Sequence, residues 1–518
     1  MSASFELSSS TYGEFLKHHL EKSPDAFFGD PVLNIKLSFT DFFRSVKQVS
    51  TLMKNEELPA NSVVHFIGAN SLELLVCYCA VAFNDWIPVG SNSKAPVVEL
   101  EANVNNTFSK ALLVSKELWT AFGNKFSSNS LSVAFVYELV DKDSFEIAIK
   151  KVHYSNAIET PLPIAEELKN VSLMFLTSGS TGSPKAVKIN HRSYFALDGD
   201  IYQLLFKFFH IRRTFFQCQP FAHTGGILFF LVALLSGQNM YLMEGFDEKP
   251  YLDALTKYNI DCLFTTPAIM NSLSKFAGLC EYNLSEINLI LAGGAKLNTE
   301  SIKIVKQKAK LPNKLMFVEL YGTSESGINF FSSNYVDNVT HCLPLSSSKT
   351  HVKIMSVDSQ QECYEGEVWM KSSGLMLGYL NDKVKTDAAL TKDGWYKTGD
   401  LGYIKDGNLF ISGRIKDVIK YRAFSVNSLE LEKVILTHPD VKNTGVIAEP
   451  HDEHGEIPVA FVVTSSQISA EELINYVSQR VAEYKQIKKV YFIENIPYNN
   501  GNKIDKSFLK NQLKNFMN

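Results

Sequence analysis

Short apolar runs rich in β-branched residues recur along the chain, separated by stretches with helical spacing. Val63–Ile67 predicts a buried strand, followed by an apolar helix over Ser71–Phe83 and a second strand over Trp86–Val89. Further strands are predicted at Ala111–Ser115, Ser132–Tyr137, Val171–Phe175, Asp261–Phe264, Ile287–Ala292 and Leu315–Leu320. Strands spaced by helices imply βαβ units and largely parallel sheets, whose ligands bind beyond the carboxyl ends of the strands. From Gly366 the texture changes to Gly- and Asp-rich turns with short alternating strands, as after Gly407. After Arg414 the pattern predicts a helix over Ser428–Leu436, strands near Val446 and over Val459–Val463, a helix over Ala470–Glu483 and a strand over Val490–Ile493. The fold class is α/β.

The chain has 518 residues, and a prior of about one domain per 150 residues allows about three or four compact units. Hydrophobic residues make up 45% and charged residues 20%, which is too apolar for disorder. With 51 basic and 55 acidic side chains the formal net charge is −4, so nothing points to nucleic acid or an anionic membrane as partner. The most apolar runs, Leu74–Phe83 and Ile227–Leu235, have about half the length a helix needs to cross a bilayer, and they read as buried core helices rather than transmembrane segments. The start, MSASFELSSSTYGEF, has neither a basic region nor an apolar core, and the final Asn-Phe-Met-Asn lacks the Ser-Lys-Leu peroxisomal address. Seven scattered cysteines show no metal-type pairing; Cys77 and Cys79 are too close for a zinc knuckle and are expected to face a core. Together these features predict a cytoplasmic, reducing setting.

Candidate chemistry concentrates in four segments. Thr177-Ser178-Gly179-Ser180-Thr181-Gly182-Ser183-Pro184-Lys185 follows the strand Val171–Phe175. Its glycines let backbone approach a ligand closely, its hydroxyls add donors and Lys185 adds a positive charge. That is a phosphate cradle by physical logic, although not of the G-x-x-x-x-G-K-[ST] type; a Ser/Gly surface loop would read the same in isolation. Tyr321-Gly322-Thr323-Ser324-Glu325 follows the strand Leu315–Leu320. A hydroxyl beside a carboxylate there suits an α-phosphate contact plus a magnesium ligand, since hard divalent ions take oxygen. Tyr396-Lys397-Thr398-Gly399-Asp400 places an acid in a tight turn, suited to two vicinal ribose hydroxyls. Gly413-Arg414-Ile415-Lys416-Asp417-Val418-Ile419-Lys420 offers three cations in eight residues, a pattern that also describes a solvated face.

In this order and spacing, with the terminal Gly501-Asn502-Lys503-Ile504-Asp505, these segments resemble the adenylate-forming superfamily of acyl- and aryl-CoA ligases, insect luciferases and peptide-synthetase adenylation domains. The pattern lies nearest to acyl-CoA and 4-coumarate-CoA-ligase-like enzymes, and the similarity runs from about Phe27 to Lys510. The resemblance implies a large N-terminal domain of βαβ-built sheets with a β-rich distal subdomain over residues 1–413, a hinge at 414–417, and a small mobile α+β domain over 418–518. It also implies ATP, magnesium and CoA as cofactors. The family couples a carboxylate to ATP, giving an acyl-adenylate and pyrophosphate, then passes the acyl group to a thiol.

By this resemblance Thr177 to Lys185 hold the β- and γ-phosphates, with Ser178, Gly179, Ser180, Thr181 and Gly182 lining the loop. Gly293, Gly294 and Ala295 flank the adenine and the acyl pocket, and Tyr321 stacks on the base, followed by Gly322 and Thr323. Ser324 contacts the α-phosphate, Glu325 holds magnesium, and Asp400 binds the ribose with help from Arg414. Lys503 bridges the carboxylate and the α-phosphate. An ammonium placed between two meeting anions stabilises the transition state by about 3–4 kcal/mol if it acts like one oxyanion-hole donor. Lys416 sits at the hinge, and Lys420 with Arg422-Ala423-Phe424 lines the approach of the thiol.

Five positions depart from the usual pattern: Ala186 and Ala423 in place of Gly, Asn502 in place of Gly before the terminal lysine, Ser324 for Thr, and Leu320 where many members carry Gly. Leu320 reshapes one pocket wall, and the methyl of Ala423 narrows the thiol's passage. Pro220-Phe221-Ala222-His223-Thr224-Gly225-Gly226 resembles the acyl-pocket segment of the CoA-ligase and luciferase branch. Peptide-synthetase domains for α-amino acids usually carry an Asp in this neighbourhood, and a neutral hydroxyl with glycines stands here, so the resemblance implies a fatty, aryl or similar carboxylic acid without an α-amine. His223 either gates the carboxylate or packs in the core. The sequence leaves open a stand-alone enzyme that loads a carrier protein, a luciferase-like oxygenase and a non-catalytic nucleotide-binding homologue.

Overall fold

The computed structural model describes residues 11–54, 58–123, 126, 130–154, 162–177, 184–191, 193, 213–294, 299–335, 343–345, 350–422, 424–498 and 504–517. The chain divides into two compact units, one spanning Met1–His351 with Lys371–Tyr396, the other Val352–Met370 with Lys397–Asn518. The division expected at 413/414 lies within the second unit.

Two eight-stranded sheets form the first unit. One has the order Gly327–Tyr335, Met316–Thr323, Leu289–Gly293, Cys262–Thr265, Thr214–Gln217, Asn239–Leu242, Phe27–Asp30, Ile35–Ser38. The other runs Gly378–Tyr379, Lys185–Asn190, Val171–Thr177, Ile87–Ser91, Val63–Ile67, Ala111–Ser115, Val133–Asp141, Glu146–His153. Both are parallel at the centre, as the strand–helix alternation predicts. Both end in antiparallel pairs. The central strand Val63–Ile67 is buried at every position, which is why its apolar residues show no alternation; its one polar residue, His65, is bonded through its two ring nitrogens to Thr107 and Ser91.

The helix Leu72–Phe83 starts at Ser71, whose hydroxyl accepts a hydrogen bond from the Leu74 amide. Apart from Glu73 in its first turn it is apolar on all sides, and Cys77 and Cys79 lie fully buried in it, as expected. The second apolar run becomes the helix Thr224–Leu235; within it Phe229 stacks on Phe264 of the strand Cys262–Thr265, with ring centroids 4.0 Å apart. Among the described residues no helix is long and apolar enough to cross a membrane. The six described cysteines are free.

The second unit holds two smaller sheets. The strands His351–Met355, Glu365–Lys371, Tyr396–Lys405 and Asn408–Arg414 follow one another in the first. The second has the order Phe424–Asn427, Val418–Tyr421, Gly455–Thr464, Val441–His451, and Lys489–Phe492 pairs in parallel with Gly455–Thr464. The helices Ser428–Leu436 and Lys506–Met517 pack on Val441–His451 around Leu431, Ile435, Val446, Phe461 and Leu509. One predicted element is shorter than expected. The helix from Ala470 stops at Ser478, where the Arg480 guanidinium donates to the Tyr476 carbonyl at 2.8 Å, and a single turn at Glu483–Lys485 follows separately.

Candidate active site

The cradle segment is the connection of a hairpin. Val171–Thr177 and Lys185–Asn190 pair antiparallel with Thr177 opposite Lys185, so both ends of the loop are fixed by one register. The Thr177 hydroxyl donates to the Lys185 carbonyl at 3.5 Å, at the loop end of the hairpin. Ser178, Gly179, Ser180, Thr181 and Gly182 lie outside the described residues. Ala186, the departure after the cradle lysine, is buried in this hairpin opposite Leu176.

Lys185 does not point into empty space. Its ammonium sits over the Tyr379 ring, 4.7 Å from the centroid, a favourable cation–π contact of about 1 kcal/mol where partly desolvated. Tyr379 belongs to the two-residue strand Gly378–Tyr379, which pairs antiparallel with the cradle strand (Gly378 with Lys188, Tyr379 with Val187). Its hydroxyl donates to the Glu325 Oε1 at 3.0 Å. Burial first, and then the charge of Glu325, push the phenol well above its usual range, so it keeps the proton it donates.

Glu325 lies in a turn whose shape is set by its neighbours. The strands Met316–Thr323 and Gly327–Tyr335 form a hairpin with a register shift between Tyr321 and Gly322. A Cβ at Gly322 would stand 1.8 Å from the Gly327 carbonyl oxygen, so only glycine fits there. Ser326 is the hub of the turn. Its hydroxyl accepts from the Thr323 amide at 3.3 Å and from the Asn329 amide group at 2.7 Å, and it lies 3.0 Å from the Thr323 hydroxyl. The Thr323 hydroxyl also donates to the Tyr396 hydroxyl at 3.4 Å. The Met376 amide donates to the Glu325 carbonyl at 2.8 Å, tying the turn to the segment that carries Tyr379.

Ser324 accepts a hydrogen bond from the Thr224 hydroxyl at 2.8 Å. Thr224 opens the helix Thr224–Leu235, and His223, half-buried, is its N-cap without a side-chain capping bond. Gly293 and Gly294 sit at the carboxyl end of Leu289–Gly293, beside Leu320 in the next parallel strand. A Cβ at Gly293 would meet the Leu320 Cβ at 3.3 Å, and Gly294 has a positive φ of 90°. Ala295 lies outside the described residues.

In the second unit, Asp400 and Arg414 face each other across the strands Tyr396–Lys405 and Asn408–Arg414, with the guanidinium Nε 2.9 Å from Asp400 Oδ1. Asp400 lies within the strand Tyr396–Lys405 rather than in the tight turn expected from the sequence; its amide donates to the Thr398 hydroxyl at 3.0 Å, and Gly399, at φ 71°, has its amide donating to Glu367 Oε1 at 3.0 Å. Lys420 stands exposed on Val418–Tyr421, its amide donating to Glu456 Oε2 at 2.7 Å. Arg422 takes a left-handed φ of 53° in the turn to Phe424, whose ring stacks on Tyr484 at 4.5 Å. Ala423, Asn502 and Lys503 lie outside the described residues.

The structure thus links Lys185 to Glu325 through Tyr379 in the first unit, with Ser324, next to Glu325 in the chain, bonded to Thr224, and joins Asp400 to Arg414 in the second. Sequence reasoning missed Tyr379 and the role of Thr224. A Gly-Tyr pair in an apolar stretch carries no charge signal, and only its pairing with the cradle strand reveals what the phenol reaches.

Residues 16–380 match the family described as AMP-binding enzyme, and residues 430–503 match its AMP-binding enzyme C-terminal domain. The chain belongs to the AMP-binding enzyme family. It is 31% identical over 409 residues to 4-coumarate--CoA ligase-like 6 of Arabidopsis thaliana, covering 76% of this chain and 71% of the relative. It is 31% identical over 371 residues to 4-coumarate--CoA ligase-like 3 of Oryza sativa subsp. japonica, covering 68% of this chain and 61% of that relative's length. The fold matches that of ATP-bound MatB from Rhodopseudomonas palustris with a TM-score of 0.80 at 20% identity, over 98% of this chain and all of the other.

Proposed function

We propose that the chain activates a carboxylic acid with ATP to an acyl-adenylate, releasing pyrophosphate, and then transfers the acyl group to CoA, giving acyl-CoA and AMP. It is read as an acid–thiol ligase of the acyl-CoA synthetase type. The observation that carries the reading is the linked set Lys185, Tyr379, Glu325, Ser324 and Thr224, a cation and a carboxylate set among hydroxyls at the ends of strands in one unit. Family membership and the CoA-ligase relatives support it.

In this reading Lys185 neutralises the terminal phosphates and Ser324 donates to the α-phosphate. The donor set suits magnesium. Among the described residues no three His, Cys, Asp or Glu side chains converge to hold a metal by themselves, and magnesium commonly takes one or two carboxylates with phosphate and water oxygens. Glu325 would be that carboxylate, with Oε2 left to the metal because Tyr379 occupies Oε1. Magnesium there would spread the charge that builds on the phosphates.

Asp400 holds the ribose hydroxyls and Arg414 fixes its carboxylate, while Tyr321 stacks on the base beside Gly293 and Gly294. Lys503 meets both the attacking carboxylate and the α-phosphate. Residues 414–417 serve as the hinge between the two half-reactions, and Lys420 serves the thiol step. His223 stands at the start of the helix next to Thr224, where an acyl carboxylate would enter. The acid is one without an α-amine, and the cytoplasm is the setting that free cysteines suit.

The test is a panel of fatty, aryl and short carboxylic acids assayed for acid-dependent pyrophosphate release, followed by CoA thioester formation with any acid that responds. Lys503→Ala is expected to abolish the release while ATP binding, measured by calorimetry, stays largely intact. Silence across the panel, or full turnover in that variant, would overturn the reading.

A further inference from the structure

Two of the charged groups assigned to nucleotide binding, Lys185 and Glu325, come from different sheets, and one side chain touches both. The Tyr379 hydroxyl donates to Glu325 Oε1 at 3.0 Å while the face of its ring receives the Lys185 ammonium at 4.7 Å. The phenol is itself held from several directions. It is only 6% exposed, and its amide donates to the Thr386 hydroxyl at 2.9 Å. The flanking Leu377 and Leu380 amides donate to the carbonyls of Lys188 and Ala186 at 2.8 and 2.9 Å, on the cradle strand. Gly378 has φ 127°, and a Cβ there would come within 2.7 Å of the Thr386 methyl, so the backbone before the tyrosine has one available course.

A side chain fixed this firmly does more than fill space. Its hydroxyl takes one oxygen of Glu325 and leaves the other to a further partner, which is what a supporting hydrogen bond does for a carboxylate ligand. Its ring gives the lysine ammonium a partner other than that carboxylate, 4.7 Å from the centroid. We propose that Tyr379 is a positioning residue that orients the Glu325 carboxylate toward a divalent cation and holds the Lys185 ammonium apart from it, so that both remain available to the phosphates of ATP. The inference rests on the nucleotide-binding reading of Lys185 and Glu325 given above.

The two contacts separate by substitution. Tyr379→Phe keeps the ring under Lys185 and loses the hydrogen bond; Tyr379→Leu loses both. Calorimetric titration with ATP, once with excess Mg2+ and once in EDTA, reads the two roles without any turnover. Tyr379→Phe is expected to weaken Mg2+-dependent binding about tenfold, the usual scale for removing a support of a metal ligand, and to leave binding in EDTA within about twofold of the parent protein. Tyr379→Leu is expected to weaken binding under both conditions. In the pyrophosphate-release assay Tyr379→Phe should need a correspondingly higher free Mg2+ concentration for half-maximal rate.

Equal titrations for the parent protein and Tyr379→Phe in Mg2+ would overturn the inference while leaving nucleotide binding itself standing. So would an equal loss in Mg2+ and in EDTA, since a packing defect does not distinguish them. Failure of the parent protein to bind ATP under either condition would instead strike the underlying reading.

Discussion

Lys506 offers a sharp test of how the second unit is held together. Its ammonium donates to the Ser428 hydroxyl at 2.7 Å, lies 2.8 Å from Glu432 Oε1, and stands 3.9 Å from Asp417 Oδ2 in the turn Ile415–Asp417. Glu432 is 5% exposed and also accepts the Val446 amide at 2.9 Å. Lys506→Met keeps the length and apolar stem but leaves a buried carboxylate with only that amide. Breaking a buried pair from one side costs about 3–5 kcal/mol. Because the Lys506 side chain is 16% exposed and Asp417 is at the edge of contact, the expected loss is about 2–3 kcal/mol. For a unit of this size that lowers the melting temperature by roughly 4–12 °C.

The pH dependence adds a second, independent signature. Burial raises the Glu432 carboxyl above its ordinary value of 4.5, while Lys506 acts to lower it. With the lysine gone the folded carboxyl rises further, so the native state of the variant binds a proton more readily than the unfolded chain. Such a group stabilises most below its unfolded value and loses that contribution as pH rises through the folded one. The penalty of Lys506→Met should therefore be largest near neutral pH and shrink as pH falls toward 4.5. Urea unfolding at several pH values, with hydrogen exchange at the Val446 amide as a local probe, measures both effects. A loss under about 0.5 kcal/mol, or one equal at all pH values, would show that the ammonium is not a structural partner of Glu432.

Gly322→Ala drives a methyl to within 1.8 Å of the Gly327 carbonyl oxygen and is expected to cost about 3 kcal/mol, read from the urea midpoint. A neutral result would mean the hairpin shift at Tyr321 is not required. Lys420→Ala should slow thioester formation from preformed acyl-adenylate more than it slows adenylation; equal loss in both half-reactions contradicts its assignment to the thiol step. Asp400→Asn keeps the size of the side chain opposite Arg414 but removes the charge. It should weaken ATP binding about tenfold by calorimetry with little change in melting temperature, and unaltered binding would remove Asp400 from the ribose site.

Much of the fold can be read along the chain because its central strands are buried on both faces. Val63–Ile67, Ala111–Ser115 and the helix Ser428–Leu436 fall where the apolar runs place them. The antiparallel edges were harder to see. Gly327–Tyr335 and Lys185–Asn190 form hairpins with strands that precede them, and polar or small residues there blur the period. The helix from Ala470 reads too long because its end at Ser478 is set by the Arg480 guanidinium on the Tyr476 carbonyl rather than by a break in the pattern. At the site, charges and glycines announce themselves in sequence. Contacts between distant segments do not: Tyr379 with Glu325, Thr224 with Ser324 and Lys506 with Glu432 are each far apart along the chain.

The helix Thr224–Leu235 has a body and a tip with different freedoms. From Gly226 to Leu234 every residue is buried, so that stretch tolerates only exchanges of similar volume. Its tip is different. Thr224 and the preceding His223 are half-buried, and Thr224 is moored to Ser324 by a single bond between hydroxyls. A lineage could therefore exchange the two tip residues, and with them the shape met by an incoming acid, while the pillar behind them stays as it is.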